Sequence, residues 1–89
     1  MGIVITSHSD SFTIDLNGVS TDRKKARIKL TDVRSLVADT DNTTVEVVFS
    51  SGEIYSFPFQ AIAEIDGDTA ISSQEVLYNK MEAIIFPVV

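Results

Sequence analysis

His8 is the one histidine of the chain, and it stands among Ser7, Ser9 and Asp10. Serine, histidine and aspartate are the residue types of a nucleophilic relay, in which imidazole takes the serine proton and a carboxylate orients the ring. Such a relay draws its members from separate elements that converge in space, whereas these four are consecutive. A polar turn accounts for them without catalysis. Asp39-x-Asp41 and Asp66-Gly67-Asp68 resemble the opening of a calcium loop, which also needs a bidentate glutamate at its twelfth position. Counting from Asp39 that position is Ser50, and from Asp66 it is Leu77. Both segments therefore read as turns whose carboxylates cap nearby N–H groups. Glu46 and Glu53 fall on the exposed side of a hairpin, where nothing raises a carboxyl pKa for acid–base work. The glycines Gly2, Gly18, Gly52 and Gly67 are isolated from one another, so no phosphate-cradling loop exists. The absence of cysteine removes thiolate zinc sites, iron–sulfur clusters, disulfides and a cysteine nucleophile. The residues predict no enzyme and no cofactor.

What remains is surface. Seven Lys and Arg stand against thirteen Asp and Glu, for a net charge of −6. The imbalance is uneven. Residues 1–28 hold four basic and three acidic side chains (+1), and residues 29–89 hold three basic and ten acidic (−7). An acidic body repels phosphate backbones, so binding of nucleic acid by the whole surface is not expected. Arg23, Lys24, Lys25 and Arg27 form the one basic cluster, a solvated loop or a contact for an acidic partner. Direct DNA binding by these four is a further reading, testable by neutralising them. Tyr55, Phe57 and Phe59 lie near Glu53 and Glu64 and read as core packing, not as a stacking platform for bases. At the far end, Ile84-Ile85-Phe86-Pro87-Val88-Val89 is apolar, and Phe86, Val88 and Val89 are candidate partner contacts.

These residues need elements to position them. At 89 residues and 44% apolar, the chain suits one domain, 1–89, and not a disordered acidic tail. Residues 1–25 read as an N-terminal extension that contacts a partner. Within them Ile3-Val4-Ile5 is β-prone, and Phe12, Ile14 and Leu16 alternate with Thr13 and Asp15 as in a half-buried strand. Asn17-Gly18 suits a tight turn, and Val19 to Lys25 reads as a loop. From 26 to 59 the pattern is a β-meander. Ile28 and Leu30 alternate with Arg27 and Lys29, and the irregular spacing of Val33, Leu36 and Val37 predicts a bulge or a bend near Arg34-Ser35. Val45, Val47 and Phe49 share a face; Ser50-Ser51-Gly52-Glu53 turns the chain; Tyr55 and Phe57 return on one side until Pro58 marks the strand end or an edge. Gln60 to Ile65 has the spacing of one or two helical turns, stopped by Asp66-Gly67-Asp68. Ser72-Ser73-Gln74-Glu75 matches a capping box. Leu77, Met81, Ile84 and Ile85 then fall within about 100° of one another on a helix over 72–86, whose natural support is the apolar face of the meander. The fold class is α+β, mainly β: a small antiparallel sheet of four to six strands with one C-terminal amphipathic helix. The N-terminus lacks the basic and long apolar regions of a signal peptide, and no apolar run reaches the ~20 residues of a membrane span.

Val33-x-Ser35-Leu36, the strand from Thr44 to Phe49, Ser51-Gly52-x-x-Tyr55 and Glu75-x-Leu77-Tyr78-x-Lys80 resemble a pattern in small proteins of tailed bacteriophages. The resemblance spans residues 26–86. It implies a virion or assembly component, such as an auxiliary or decorating capsid protein or a part of the head–tail connector, and it carries over no catalytic or binding residue. Two readings follow. The first is a non-enzymatic structural module that meets protein partners, either a larger assembly or further copies of itself, in the cytoplasm of the producing cell or in the virion. The second is a small acidic regulatory protein that binds and blocks a host protein, motivated by the −7 balance of residues 29–89.

Overall fold

The computed structural model describes residues 2–16, 25–41 and 43–87. Among these lie seven strands and one helix: β1 (Ile3–Ser7), β2 (Ser11–Asp15), β3 (Lys25–Lys29), β4 (Val33–Asp39), β5 (Thr44–Phe49), β6 (Ile54–Pro58), β7 (Ile62–Ile65) and α1 (Gln74–Ile85). They form a four-stranded sheet in the order β3-β2-β1-β7 and a three-stranded sheet in the order β4-β5-β6. The class is α+β and mainly β, as the sequence predicts. The strand number exceeds the expected four to six because two long strands are each cut by a single 3-10 turn, Leu30–Asp32 and Phe59–Ala61.

Each of these turns is a corner that carries the chain from one sheet to the other. The residues entering them are extended, Lys29 at φ −71°, ψ 139° and Pro58 at φ −72°, ψ 141°. Those leaving are extended too, Val33 at φ −95° and Ile62 at φ −85°. Treating each bent strand as one run leaves a meander of five runs. In an odd-numbered meander the first and last runs point the same way. This is why β7 closes on β1 in parallel while all other pairs are antiparallel.

The core fills the space between the sheets. Period-2 alternation delivers Ile5, Phe12, Ile14, Val45, Val47 and Phe57 to it, with Ile5, Phe12, Val45 and Val47 wholly enclosed. Residues 2–16, which the sequence suggested as an extension, thus supply the middle of the larger sheet. Helix α1 adds Leu77, Met81 and Ile85 at i, i+4, i+8 and packs on β4 and β5 of the meander, as expected. Its cap is displaced by one residue from the predicted box: Ser73 Oγ accepts from the Val76 N–H at 3.2 Å, while Glu75 stays exposed. The Gln74 side-chain amide donates to the carbonyls of Asp39 and Thr44, each at 2.7 Å, and so pins the start of the helix to the β4–β5 turn.

The expected helical turns over Gln60–Ile65 are a 3-10 turn followed by β7. Ile62 and Ile65 are both buried, three residues apart, which mimics helical spacing. The cause is a bulge. Ile3 pairs with Ile62 and Val4 with Glu64, so Ala63 is the extra residue and the inward parity resets after it. The same device occurs in β4, where Val33 pairs with Phe49 and Ser35 with Val48, leaving Arg34 unpaired; Val33 and Leu36 both face inward. Here the sequence predicted a bulge or a bend, and the structure has the bulge. At the first of these sites the chain approaches itself closely: a Cβ on Gly2 would lie 2.8 Å from the Ala63 Cβ and 3.2 Å from the Ala61 carbonyl oxygen. The proposed Asn17-Gly18 turn and most of the Val19–Lys25 loop fall outside the described residues.

Candidate functional site

The polar residues that read as chemistry bond to separate partners. Ser7 donates from its N–H to Asp66 Oδ1 at 2.7 Å and from its hydroxyl to Oδ2 at 2.6 Å. His8 Nε2 meets Thr13 Oγ1 at 2.9 Å, and Asp10 faces the Arg27 guanidinium at 4.0 Å. The three side chains diverge, so they assemble no relay. Asp66 and Gly67 take positive φ, +51° and +83°, and Ile65 and Asp68 exchange backbone bonds of 2.9 and 3.0 Å across them. This is the two-residue turn that Asp-Gly favours, consistent with the turn reading of that segment. The Asp68 carboxylate accepts from the Ala70 N–H at 2.9 Å and pairs with Lys80 of α1. The Lys80 hydrogen bond, and after it the Ala70 N–H, hold the Asp68 carboxyl below its usual range. Asp39 Oδ1 accepts from the Asp41 N–H at 3.1 Å, a local turn bond. Among the described residues no three of His, Cys, Asp and Glu converge in a way that would hold a metal ion.

A cleft of about 550 Å³ opens between the C-terminal half of α1 and the β1–β2 turn, with Ser7, His8, Asp66, Asp68, Lys80 and Ile84 on its walls. Its charged groups are engaged, Asp66 by the Ser7 N–H and hydroxyl and Asp68 by Lys80. They serve to tie β1, the Asp-Gly turn and the helix together.

Lys25 and Arg27 of the basic cluster lie on a strand. Lys25, Arg27 and Lys29 occupy alternate, exposed positions of β3, which is the outermost strand of the larger sheet. Lys25 pairs with Asp15 at 3.6 Å, and Arg27 Nε donates to the enclosed Ser11 hydroxyl at 2.9 Å. A row of cations on an edge strand blocks pairing with another chain. Arg23 and Lys24 fall outside the described residues, as do Val88 and Val89. Phe86 follows the helix and is 45% exposed, whereas Ile85 before it is buried in the core.

The strongest surface feature is one the sequence reading passed over. Strand β6 ends the three-stranded sheet, and Ile54 is 54% and Tyr55 37% exposed on it. By register, Ile54 lies beside Val48 on the outer face, and Val37, 41% exposed, lies on that same face. Ile54 to Pro58 contains no charged residue. The signal available in the sequence was Ile54-Tyr55-Ser56-Phe57 without a charge, closed by Pro58; which strand ends a sheet is set by topology.

Compared with family models, curated proteins and solved structures, the chain matches none. The fold thus defines a class, a two-sheet α+β domain with one docked helix, and the functional reading rests on this chain's own surface. No helix among the described residues is long and apolar enough to cross a membrane.

Proposed function

We propose that this protein is a non-enzymatic structural module that acts by docking onto a larger protein assembly, in the manner of the small virion components of tailed bacteriophages that it resembles. One observation carries the reading: an uncharged, exposed strand, β6, whose Ile54 shares the outer face of its sheet with Val48 and Val37, on a domain of net charge −6. Apolar surface of this kind marks a contact when it is contiguous with an open strand edge. Phe86 adds a second exposed apolar point at the end of α1.

The test is co-sedimentation with virions from the cell that produces the chain, at physiological and at about 0.5 M salt, where the Debye length falls to roughly half. An apolar docking contact keeps the protein on the particles at both salts. Recovery only in the soluble fraction overturns the reading. The acidic regulator is the second reading, favoured by the exposed carboxylates Asp32, Asp41, Glu53, Glu75 and Glu82. It predicts a host-protein complex that weakens steeply with salt.

A further inference from the structure

Resting on the reading of this chain as an interaction module, we infer that β6 pairs antiparallel with β6 of a second copy, across a two-fold axis at Tyr55. The pairing joins two three-stranded sheets into one of six strands.

An unpaired strand edge invites another strand unless something blocks it. Among the described residues the two sheets have four edges, and three are blocked by different means. Strand β3 carries Lys25, Arg27 and Lys29. Strand β7 is only four residues long, is bulged at Ala63, and has its Ile65 N–H engaged by the Asp68 carbonyl. Strand β4 is bulged at Arg34 and flanked by α1. Strand β6 has five residues, no charge and no bulge; β5 is the one described strand or helix in extensive contact with it, and the outward Ile54, Ser56 and Pro58 are all exposed.

The backbone of β6 specifies how a partner would fit. The Phe49 N–H donates to the Glu53 carbonyl at 2.9 Å, so the backbone groups of Glu53 point toward β5. The two-residue period then turns Tyr55 and Phe57 toward β5 and Ile54, Ser56 and Pro58 outward. Pro58 has no N–H, so the free edge offers two donors, from Ile54 and Ser56. An axis at Tyr55 sets Ile54 opposite Ser56 of the second copy and Ser56 opposite its Ile54. Both pairs exchange N–H and C=O, giving four hydrogen bonds that use every donor on the edge. An axis at Ser56 would aim each Ile54 carbonyl at a proline nitrogen. Pro58 therefore selects the register.

Charge does not oppose a copy of the same chain at this edge. A molecule at −6 repels its like over most of its surface. On β6 no charged side chain opposes another, whereas β3 against β3 would set its cations together. The axis also brings the two Tyr55 rings side by side. Each already meets Phe49 edge-on at 4.9 Å and Phe57 at 6.4 Å, so the aromatic row continues across the pair.

The experiment uses the full chain, which holds no native cysteine. Sedimentation equilibrium at rising concentration is expected to show a monomer–dimer exchange. Residues facing at the axis have Cα atoms about 4.5 Å apart, within the roughly 4.4–6.8 Å that a disulfide spans. Tyr55→Cys should then give a disulfide-linked dimer under mild oxidation. Ser56→Cys should not, because its Cα atoms lie about 8 Å apart in this register. Ser56→Pro removes an outward donor without touching the β5 ladder and should weaken the dimer at least tenfold. Should that variant lose its far-ultraviolet circular dichroism, Ser56→Lys makes the same test by placing a charge on the edge. A chain that stays monomeric at every concentration overturns the inference, as does a dimer that both Ser56 variants leave intact. Cross-linking through Ser56→Cys in place of Tyr55→Cys also overturns it. None of these outcomes touches co-sedimentation with virions, which decides the broader reading separately.

Discussion

Strands β3 and β6 are each five residues long, each ends a sheet, and each runs into a 3-10 corner whose entry torsions differ by no more than 2°. Their surfaces are opposite. The first presents Lys25, Arg27 and Lys29, and the second presents Ile54, Tyr55 and Ser56. The corner is a property of the backbone and the buried side chains around it, and it tolerates either surface. The edge chemistry is thus free to vary without altering the fold, and that freedom lets one edge be closed to other chains and another left open.

Replacing the side chains that hold each strand down breaks this comparison most severely. Phe57 is the one buried residue of β6, at 5% exposure, while β3 is held by the half-buried Ala26 and Ile28. Phe57→Ala should cost about 3–5 kcal/mol in urea or guanidinium unfolding. Ile28→Ala should cost less, because its site is already partly open. A larger loss at Ile28 would mean that β3 is the better anchored of the two. Next in size is Gly2→Ala. Its Cβ would press on Ala63 beside the second corner, where only backbone fits, and overpacking of that kind costs about 1–3 kcal/mol. An unchanged denaturation midpoint would show that β1 can move away from the bulge at no cost.

The smallest effect concerns how the corners are fastened. The first is tied by the Ser50 N–H to the Asp32 carbonyl at 2.8 Å and by Arg34 to the Ser50 carbonyl at 3.1 Å. The strand that leaves the second corner is tied at its far end, where Asp68 beyond β7 pairs with Lys80 of α1. Because the Lys80 hydrogen bond holds the Asp68 carboxyl below the ordinary aspartate range, its contribution is present above that range and lost as pH falls through the folded value. Lys80→Met should therefore lower the urea midpoint slightly at neutral pH, and the two proteins should converge in acid. A difference that persists in acid would assign the effect to the lysine stem and not to the ion pair.

The meander was legible because Val45, Val47, Phe49, Tyr55 and Phe57 alternate cleanly and Gly52 supplies the φ of +94° that closes their hairpin. The bulge at Arg34 was legible because its strand is long enough to show regular spacing on one side of the break. At β7 the same break falls within four residues, and Ile62 with Ile65 imitates a helix. The part played by β1 was obscured for another reason: its partner β7 lies far along the chain, and no local pattern announces a parallel closure. The candidate site divides in the same way. Cations and an apolar end are visible as residue types, whereas the openness of β6 follows from where the sheets stop.

The parallel closure also sets a constraint in time. Ser7 bonds to Asp66 across 59 residues. Made from the N-terminus at roughly 5–20 residues per second, β1 must wait about 3–12 s for the strand that completes its sheet. Strands β4, β5 and β6 all leave the ribosome before β1 can meet its parallel partner.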